Sequence, residues 1–293
     1  MLGIDTLLQH LPQVLLSGLL MGFIYALVAV GLTLIYGVMD IVNFAHGEFL
    51  MLSMYVVFWL HALAHLDPLF ALPIAVIVLF GVGALTHKLV VRPVLKAPMS
   101  AQIFATFGLM VFLQSAAQFL WSPNYRLIQD PLLSGRISLL GLSVGKPQLV
   151  AAVGALLATG FVFWFIKRTE TGRALQAVAE DQEAAALMGI NSDRMFTLAW
   201  GIGAACVGVA GALLANYYYI FPTVGTVFVL MAFVSVALGG FGSVPGALIA
   251  GVIMGVVETL AGLLLSPAYK HVVVFALYMI VVLVRPRGLF GEW

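Results

Sequence analysis

The chain has 293 residues, of which 63% are hydrophobic and 9% charged, and its formal net charge is +1. Soluble domains usually carry about 25% charged residues. Because so few charges cannot cover a water-facing surface, the composition predicts a protein embedded in lipid. The small net charge and the lack of a basic cluster argue against a nucleic-acid partner. A single cysteine, Cys206, excludes an internal disulfide and falls short of a metal site.

Apolar runs recur along the whole chain, and about 20 apolar residues suffice to cross a bilayer. We therefore predict one all-α domain, residues 1–293, that forms a polytopic transmembrane helical bundle. The predicted spans are 13–36, 47–60, 70–91, 101–121, 147–166, 195–217, 225–265 and 270–284.

The stretch from Met195 to Val257 has no acidic or basic residue and is far too long for one crossing. Breaks are predicted at Tyr219–Gly225 and at Gly239–Gly246, because Gly and Pro are unfavourable inside helices. At membrane depth such breaks must be buried in protein or line a cavity. The total is nine spans if both breaks are reversals, and eight if one is a re-entrant dip.

The basic residues predict the orientation, since Lys and Arg gather on the cytoplasmic side. Alternating crossings place nine of the 13 on one side: Lys88, Arg92, Lys96, Lys167, Arg168, Arg173, Arg194, Arg285 and Arg287. The other four are Arg126, Arg136, Lys146 and Lys270. This bias predicts an exterior N-terminus and a cytoplasmic C-terminus, which fits nine spans better than eight.

Small residues recur at every fourth position in two of the spans. They are Ala204, Gly208 and Ala212 in one, and Ala247, Gly251 and Gly255 in the other. Such stripes let helix backbones approach closely in lipid. We weigh two interpretations, packing between helices of this chain and a seam against a second membrane subunit.

The segment Lys167–Arg194 is the only long stretch that reads like soluble protein. Thr171 is a candidate N-cap, Gly189 a candidate left-handed C-terminal cap, and Asn191 and Ser192 can cap the next helix. Apolar positions recur at roughly helical spacing: Ala174, Leu175, Val178, Ala185 and Ala186. The pattern predicts one short amphipathic helix on the cytoplasmic side, followed by a tight bend.

Glu183, Ala184, Ala185 and Gly189 in this segment read E-A-A-x-x-x-G. The motif resembles the coupling loop of ATP-binding-cassette importer permeases, whose helix docks into a cleft on the ATPase. The resemblance implies ATPase coupling through these four residues and Arg173. The Ile-x-Leu-Pro that some relatives carry downstream is absent. The competing interpretation is an ordinary solvated loop helix.

A polar turn with Asp40, His46 and Glu48 lies between two apolar runs. Ionisable groups near the bilayer are costly and usually pair or face a cavity. Gly47 predicts an unwound backbone, whose free groups could meet a polar solute. Alternatively, Asn43, His46 and Glu48 cap helix ends and hydrogen-bond neighbouring spans. Their number and spacing do not fit a metal site.

Three segments in this order resemble branched-chain amino acid permeases of the hydrophobic amino acid uptake family. Gly31–Gly37 reads G-L-T-L-I-Y-G, Asn43–Phe49 reads N-F-A-H-G-E-F, and Gly239–Ala247 reads G-G-x-G-S-x-P-G-A. The resemblance covers essentially the whole chain. It implies leucine, isoleucine and valine as solutes, although related members carry urea, short amides or aromatic acids.

Glu258 stands alone in the apolar stretch Ala247–Leu265. A carboxylate there must be protonated, paired with a cation or hydrogen-bond donor, or hydrated. Pairing is one interpretation, and a solute-facing role is the other. Together with Asn43, His46, Gly47 and Glu48, this residue is our candidate for the translocation path.

The sequence has no G-x-x-x-x-G-K-[ST] phosphate loop and no catalytic set, so we expect neither an enzyme nor a cofactor of its own. ATP would be bound by partners. We favour a permease subunit of an importer in the bacterial inner membrane, working with a second homologous permease, two ATPase subunits and a periplasmic solute-binding protein. The alternative is a self-sufficient secondary transporter or channel that uses Glu258, Asp40 or Glu48 as proton or ion sites.

Overall fold

A computed structural model describes residues 4–139, 141–285, 288 and 289. Within them it contains eleven α-helices and one antiparallel hairpin, β1 (Arg136–Leu139) with β2 (Leu142–Gly145). The helices are α1 (Ile4–Met39), α2 (His46–Ala64), α3 (Pro68–Thr86), α4 (Met99–Trp121), α5 (Lys146–Arg168), α6 (Glu170–Glu180), α7 (Gln182–Leu187), α8 (Ser192–Leu214), α9 (Gly225–Gly239), α10 (Val244–Leu264) and α11 (Lys270–Val284). A π-helical turn and a 3-10 turn extend α3 to Val94.

Eight helical segments of the described chain are long and apolar enough to cross a membrane, which confirms the all-α polytopic prediction. The apolar helix α9 is shorter, with 15 residues and a length of about 22 Å. Both predicted breaks occur, so the predicted span 225–265 is two helices. Gly240 and Gly242 between them adopt φ of +99° and +80°, conformations that glycine tolerates best.

One end of the bundle, which we call the hairpin end, carries β1 and β2. The Gln13 side chain near the start of α1 exchanges two hydrogen bonds, of 2.7 and 2.9 Å, with the Ser143 backbone. The Asp67 carboxylate caps α3 and also accepts from the Leu132 N–H at 2.7 Å. These contacts tie the loop between α4 and α5 to neighbouring helices.

The opposite end, which we call the elbow end, carries α6 and α7. The Arg92 guanidinium lies 3.0 Å from the Asp193 carboxylate and joins the end of the extended α3 to the start of α8. The Leu289 N–H donates to the Leu238 carbonyl at 2.8 Å, which brings the chain past α11 against the end of α9. Arg287, one of the nine basic residues counted above, lies outside the described residues.

Helix α1 lies at the centre of the bundle and packs against α5, α8, α9 and α10. Its contact with α10 is backbone to backbone. A Cβ on Gly255 would lie 2.4 Å from Gly22 Cα, and a Cβ on Gly251 would lie 2.4 Å from Ala26 Cα. In the α8 stripe, a Cβ on Gly208 would lie 3.0 Å from Leu79 Cβ of α3. Both stripes are buried within the chain, so internal packing is confirmed, and the interpretation as a seam with a second subunit is wrong for these positions.

Adding one methyl group at this contact should destabilise the bundle. Gly251→Ala places a Cβ against the α1 backbone, and overpacking of this kind costs about 1–3 kcal/mol. Gly262→Ala, on the same helix, meets nothing within 4 Å and should be neutral or stabilising by about 0.5–1 kcal/mol. Unfolding of the purified proteins in mixed micelles measures both. Equal stability of the two variants would contradict the backbone contact.

Candidate translocation and coupling sites

The polar turn folds back into the bundle after α1 ends. Residues 40–45 are non-helical, and Asp40 begins them with φ of +54°. α2 starts at His46, whose Nε2 lies 3.0 Å from the Val28 carbonyl and donates to it in the corresponding tautomer. Val28 lies three turns, about 16 Å, before the end of α1. The polar start of α2 is therefore deep inside the apolar bundle.

Asn43, His46 and Glu48 are completely buried. Glu48 Oε1 accepts from the Gln114 side chain of α4 at 2.9 Å. Among the described residues, Glu48 Oε2, His46 Nδ1 and both amide atoms of Asn43 have no hydrogen-bond partner. No side chain caps α2 at Ala45. Capping is therefore the wrong explanation at α2, whereas hydrogen bonding to neighbouring spans is right for His46 and Glu48.

Gly47 has a different role from the predicted one. It lies in the first turn of α2 rather than in an unwound segment, and a Cβ there would lie 2.3 Å from the Gly225 carbonyl oxygen. The glycine thus lets the start of α2 touch the start of α9. The unwound backbone is the preceding stretch, residues 40–45. The sequence alone could not show whether Gly47 allows close helix packing or an unwound backbone, because glycine suits both.

Glu258 of α10 is paired with other side chains, which agrees with the first of the two interpretations given in the sequence analysis. The Tyr25 hydroxyl donates to its Oε2 at 2.7 Å, and Lys270 Nζ lies 2.7 Å from its Oε1. His271 Nδ1 is 3.9 Å from the same Oε1. These groups line a cleft of about 480 Å³ bounded by α1, α9, α10 and α11. Sequence reasoning did not find Tyr25 and Lys270 as partners, because no local pattern connects them to Glu258.

Among the described residues no hydrogen bond or ion pair joins Glu258 to the polar turn, but both bond to α1. Tyr25 holds Glu258, and Val28 bonds to His46 one turn further along the same helix. The five candidate residues of the translocation path therefore form two separate polar groups on one central helix.

The elbow, residues 169–191, contains two helices where one was predicted. Thr169, not Thr171, caps α6, because its Oγ1 accepts from the Gly172 N–H at 2.9 Å. Asp181 then interrupts the helix with extended backbone and caps α7, accepting from the Glu183 and Ala184 N–H groups at 2.9 Å each. A carboxylate that competes for backbone donors in this way favours a helix start over a helix interior.

The end of the elbow follows the sequence prediction. Gly189 has φ of +83°, its N–H donates to the Ala186 carbonyl, and the Ile190 N–H donates to the Ala185 carbonyl, both at 3.0 Å. This is the Schellman arrangement of a left-handed C-terminal cap. The Asn191 side chain then caps α8 by accepting from the Arg194 N–H at 3.0 Å. The predicted caps at Gly189 and Asn191 are confirmed, whereas Ser192, the other candidate cap for α8, is the first residue of that helix.

The elbow presents one face to the bundle and another to its surroundings. Leu175, Val178 and Ala185 are buried, and α6 packs against α1 and α5. Arg173, Glu183, Ala184 and Gly189 are exposed, and so is Ala186, which the sequence pattern had placed on the apolar face. Leu187 and Met188 are 90% and 82% exposed. The elbow thus carries two large uncovered apolar side chains next to the motif residues.

Removing the Gln114 side chain should weaken the polar turn. Gln114→Leu leaves Glu48 Oε1 buried without its donor, which costs about 1–3 kcal/mol. The control Gln118→Leu lies one turn further on α4 at an exposed position and should not destabilise the protein. Thermal melting in detergent compares the two. A Gln114→Leu protein as stable as the control would exclude a stabilising role for this hydrogen bond.

Comparison with known proteins assigns the chain to a family. Residues 14–283 match the family described as branched-chain amino acid transport system / permease component. The chain is 35% identical to the high-affinity branched-chain amino acid transport system permease protein LivH of Salmonella typhimurium, over 96% of this chain and 95% of the relative. It is 34% identical to the corresponding protein BraD of Pseudomonas aeruginosa, over 97% of each.

A more distant relative is the fructose import permease protein FrcC of Rhizobium meliloti, 29% identical over 62% of this chain and 54% of the relative. No solved structure matches the chain. The match across nearly the full length, together with the helical bundle described above, leads to one conclusion. The chain belongs to the permease-component family of branched-chain amino acid transport systems.

Proposed function

We propose that the chain is one membrane subunit of an ATP-binding-cassette importer that carries branched-chain amino acids into the cell. The observation that supports it most is the elbow, a capped two-helix segment in which the motif residues Glu183, Ala184 and Gly189 and the neighbouring Leu187 and Met188 are exposed, while Ala185 of the motif is buried. Such a surface fits a cleft on a separate ATPase. The similarity of the chain to relatives that are named as branched-chain amino acid transport permeases supports the same assignment.

The elbow end faces the cytoplasm in this proposal, with the N-terminus outside and the C-terminus inside the bacterial inner membrane. Eight of the nine basic residues assigned to that side are described, and they lie on elements at the elbow end. Arg126, Arg136, Lys146 and Lys270 lie on elements at the hairpin end. This distribution agrees with the positive-inside rule.

Four further components complete the importer: a second homologous permease, two ATPase subunits and a periplasmic solute-binding protein. Closure of the ATPases around ATP would move α7 and α6. Because α6 packs on the inner end of α1, the displacement would reach the polar turn and Glu258, both of which bond to α1. The binding protein would deliver solute at the hairpin end.

The secondary-transporter hypothesis is not favoured. Relatives that match nearly the whole chain are named as permease components of transport systems. Of the intramembrane carboxylates it needs, Glu258 already forms an ion pair with Lys270. Active transport by the isolated chain in liposomes under an imposed proton gradient would reverse this preference.

Replacing an exposed elbow leucine should separate the permease from its ATPases. Leu187→Asp puts a charge where an apolar side chain would be buried in the interface, so we expect at least a tenfold loss of ATPase co-purification and of ATP-driven leucine uptake. Leu132→Asp is the matched control, because Leu132 is 67% exposed on the hairpin-end loop. It should retain ATPase co-purification. Full co-purification of the Leu187→Asp protein would contradict the docking role of the elbow.

A further inference from the structure

We infer that the cleft around Glu258 and Lys270 is a receiving site for the zwitterionic head group of the transported amino acid. The inference rests on the proposed function and goes beyond it by naming the residues that recognise the two charged groups of the solute. Glu258 would bind the α-ammonium group, and Lys270 the α-carboxylate.

The cleft has the size and lining of a small-molecule site. Its volume of about 480 Å³ lies within the range of about 300–1,000 Å³ typical of such sites. Apolar side chains form part of its wall and would contact an aliphatic solute side chain: Val14, Met21, Val227 and Leu263. The polar residues of the lining are Ser17, Tyr25, Tyr218, Glu258, Thr259, Lys270 and His271. The cleft thus offers both apolar and charged contacts, as a branched-chain amino acid with its apolar side chain and charged head requires.

The ion pair is asymmetric with respect to the cleft. The Glu258 side chain is 5% exposed, whereas that of Lys270 is 38% exposed, and their charged atoms are 2.7 Å apart. The anion therefore lies at the base and the cation nearer the opening. Lys270 is the first residue of α11, directly after the 3-10 turn Pro267–Tyr269, and its partly exposed side chain has room in the cleft to move away from Glu258.

Exchange of partners explains why a zwitterion fits better than other solutes. A buried charge that loses its partner is strongly destabilising. When an amino acid enters, its ammonium replaces Lys270 on Glu258 while its carboxylate accepts from Lys270, so both protein charges remain paired. A neutral sugar, or a solute with only one of the two charges, would leave Glu258 or Lys270 without a counter-charge. The cleft thus discriminates by charge pattern.

Tyr25 fixes the position of Glu258. Its hydroxyl occupies Oε2 at 2.7 Å and leaves Oε1 directed toward Lys270. The Tyr25 ring packs against Phe228 of α9, with centroids 5.9 Å apart. Glu258 is therefore held in place by the central helix, and a change in α1 would alter the site directly. Tyr25 acts here as a positioning residue.

The test compares three ligands on the assembled importer in nanodiscs without its binding protein. Leucine, leucinamide and 4-methylpentanoate compete with tritiated leucine, and the second lacks the carboxylate while the third lacks the ammonium. The unmodified importer should bind leucine at least about tenfold more tightly than either analogue, because each analogue loses one charged hydrogen bond. Equal affinities, or no saturable leucine binding, would overturn the inference.

Two variants assign the charges to residues. Glu258→Gln should weaken leucine at least about tenfold and change 4-methylpentanoate, which has no ammonium, less than twofold. Lys270→Met should weaken leucine and 4-methylpentanoate but spare leucinamide, and Lys270→Arg should keep leucine binding. Lys146→Met, at an exposed site that starts α5, is the control and should bind as the unmodified importer does. If the ion pair had only a structural role, its removal would lower the affinity for all three ligands by the same factor.

Failure of this inference differs from failure of the proposed function. If the complete importer accumulates leucine in ATP-loaded proteoliposomes and the Glu258→Gln and Lys270→Met variants do so normally, the cleft assignment is wrong and the function stands. If the unmodified importer accumulates no leucine, the proposed function itself is wrong. Should Glu258→Gln fail to assemble, the analogue series on the unmodified importer still decides the matter.

Discussion

Close contact between helix backbones keeps α1 at the centre of the bundle. In lipid no hydrophobic effect drives helices together, so association depends on dispersion between closely packed surfaces. Glycines at the α1–α10 contact remove the side chains that would hold the two backbones apart, as the 2.4 Å approaches at Gly251 and Gly255 indicate. The same device, at Gly203 and Gly31, brings α8 against α1. With these contacts α1 packs against four neighbouring helices at once, α5, α8, α9 and α10.

This central position is what connects the polar features to the elbow. Near the elbow end, α6 covers the last turns of α1; in the middle, Val28 accepts from His46; one turn further toward the hairpin end, Tyr25 holds Glu258. Each group would be costly to bury without its partner. One partner of each group, Tyr25 for Glu258 and Val28 for His46, belongs to α1, so in the proposed importer a force applied at the elbow would reach both polar groups through this helix. In the proposed importer, the exposed side chains of Leu187 and Met188 would give an ATPase subunit an apolar surface to bind.

Features encoded locally could be predicted from the sequence, and features that depend on distant contacts could not. Hydropathy predicted the spans, the break at 240–243 followed from its glycines, and the caps at Gly189 and Asn191 each involve residues no more than five apart. The helix starts at Thr169 and Asp181 were missed because several polar residues nearby compete for the same role. The partners of Glu258 lie 233 positions before it and 12 after it, on other helices, where periodicity carries no information. Gly47 was misread for the same reason, since its neighbour Gly225 is remote in sequence.

The most direct measurement is a cryo-electron microscopy structure of the complete importer in nanodiscs, determined without nucleotide and with trapped ATP. We expect Leu187 and Met188 to be covered by an ATPase subunit in both states. We also expect α6 to remain packed on α1 while the two shift together relative to α3. An elbow surrounded by solvent, or an α6 that moves while α1 stays in place, would contradict the coupling of the elbow to the polar groups through α1.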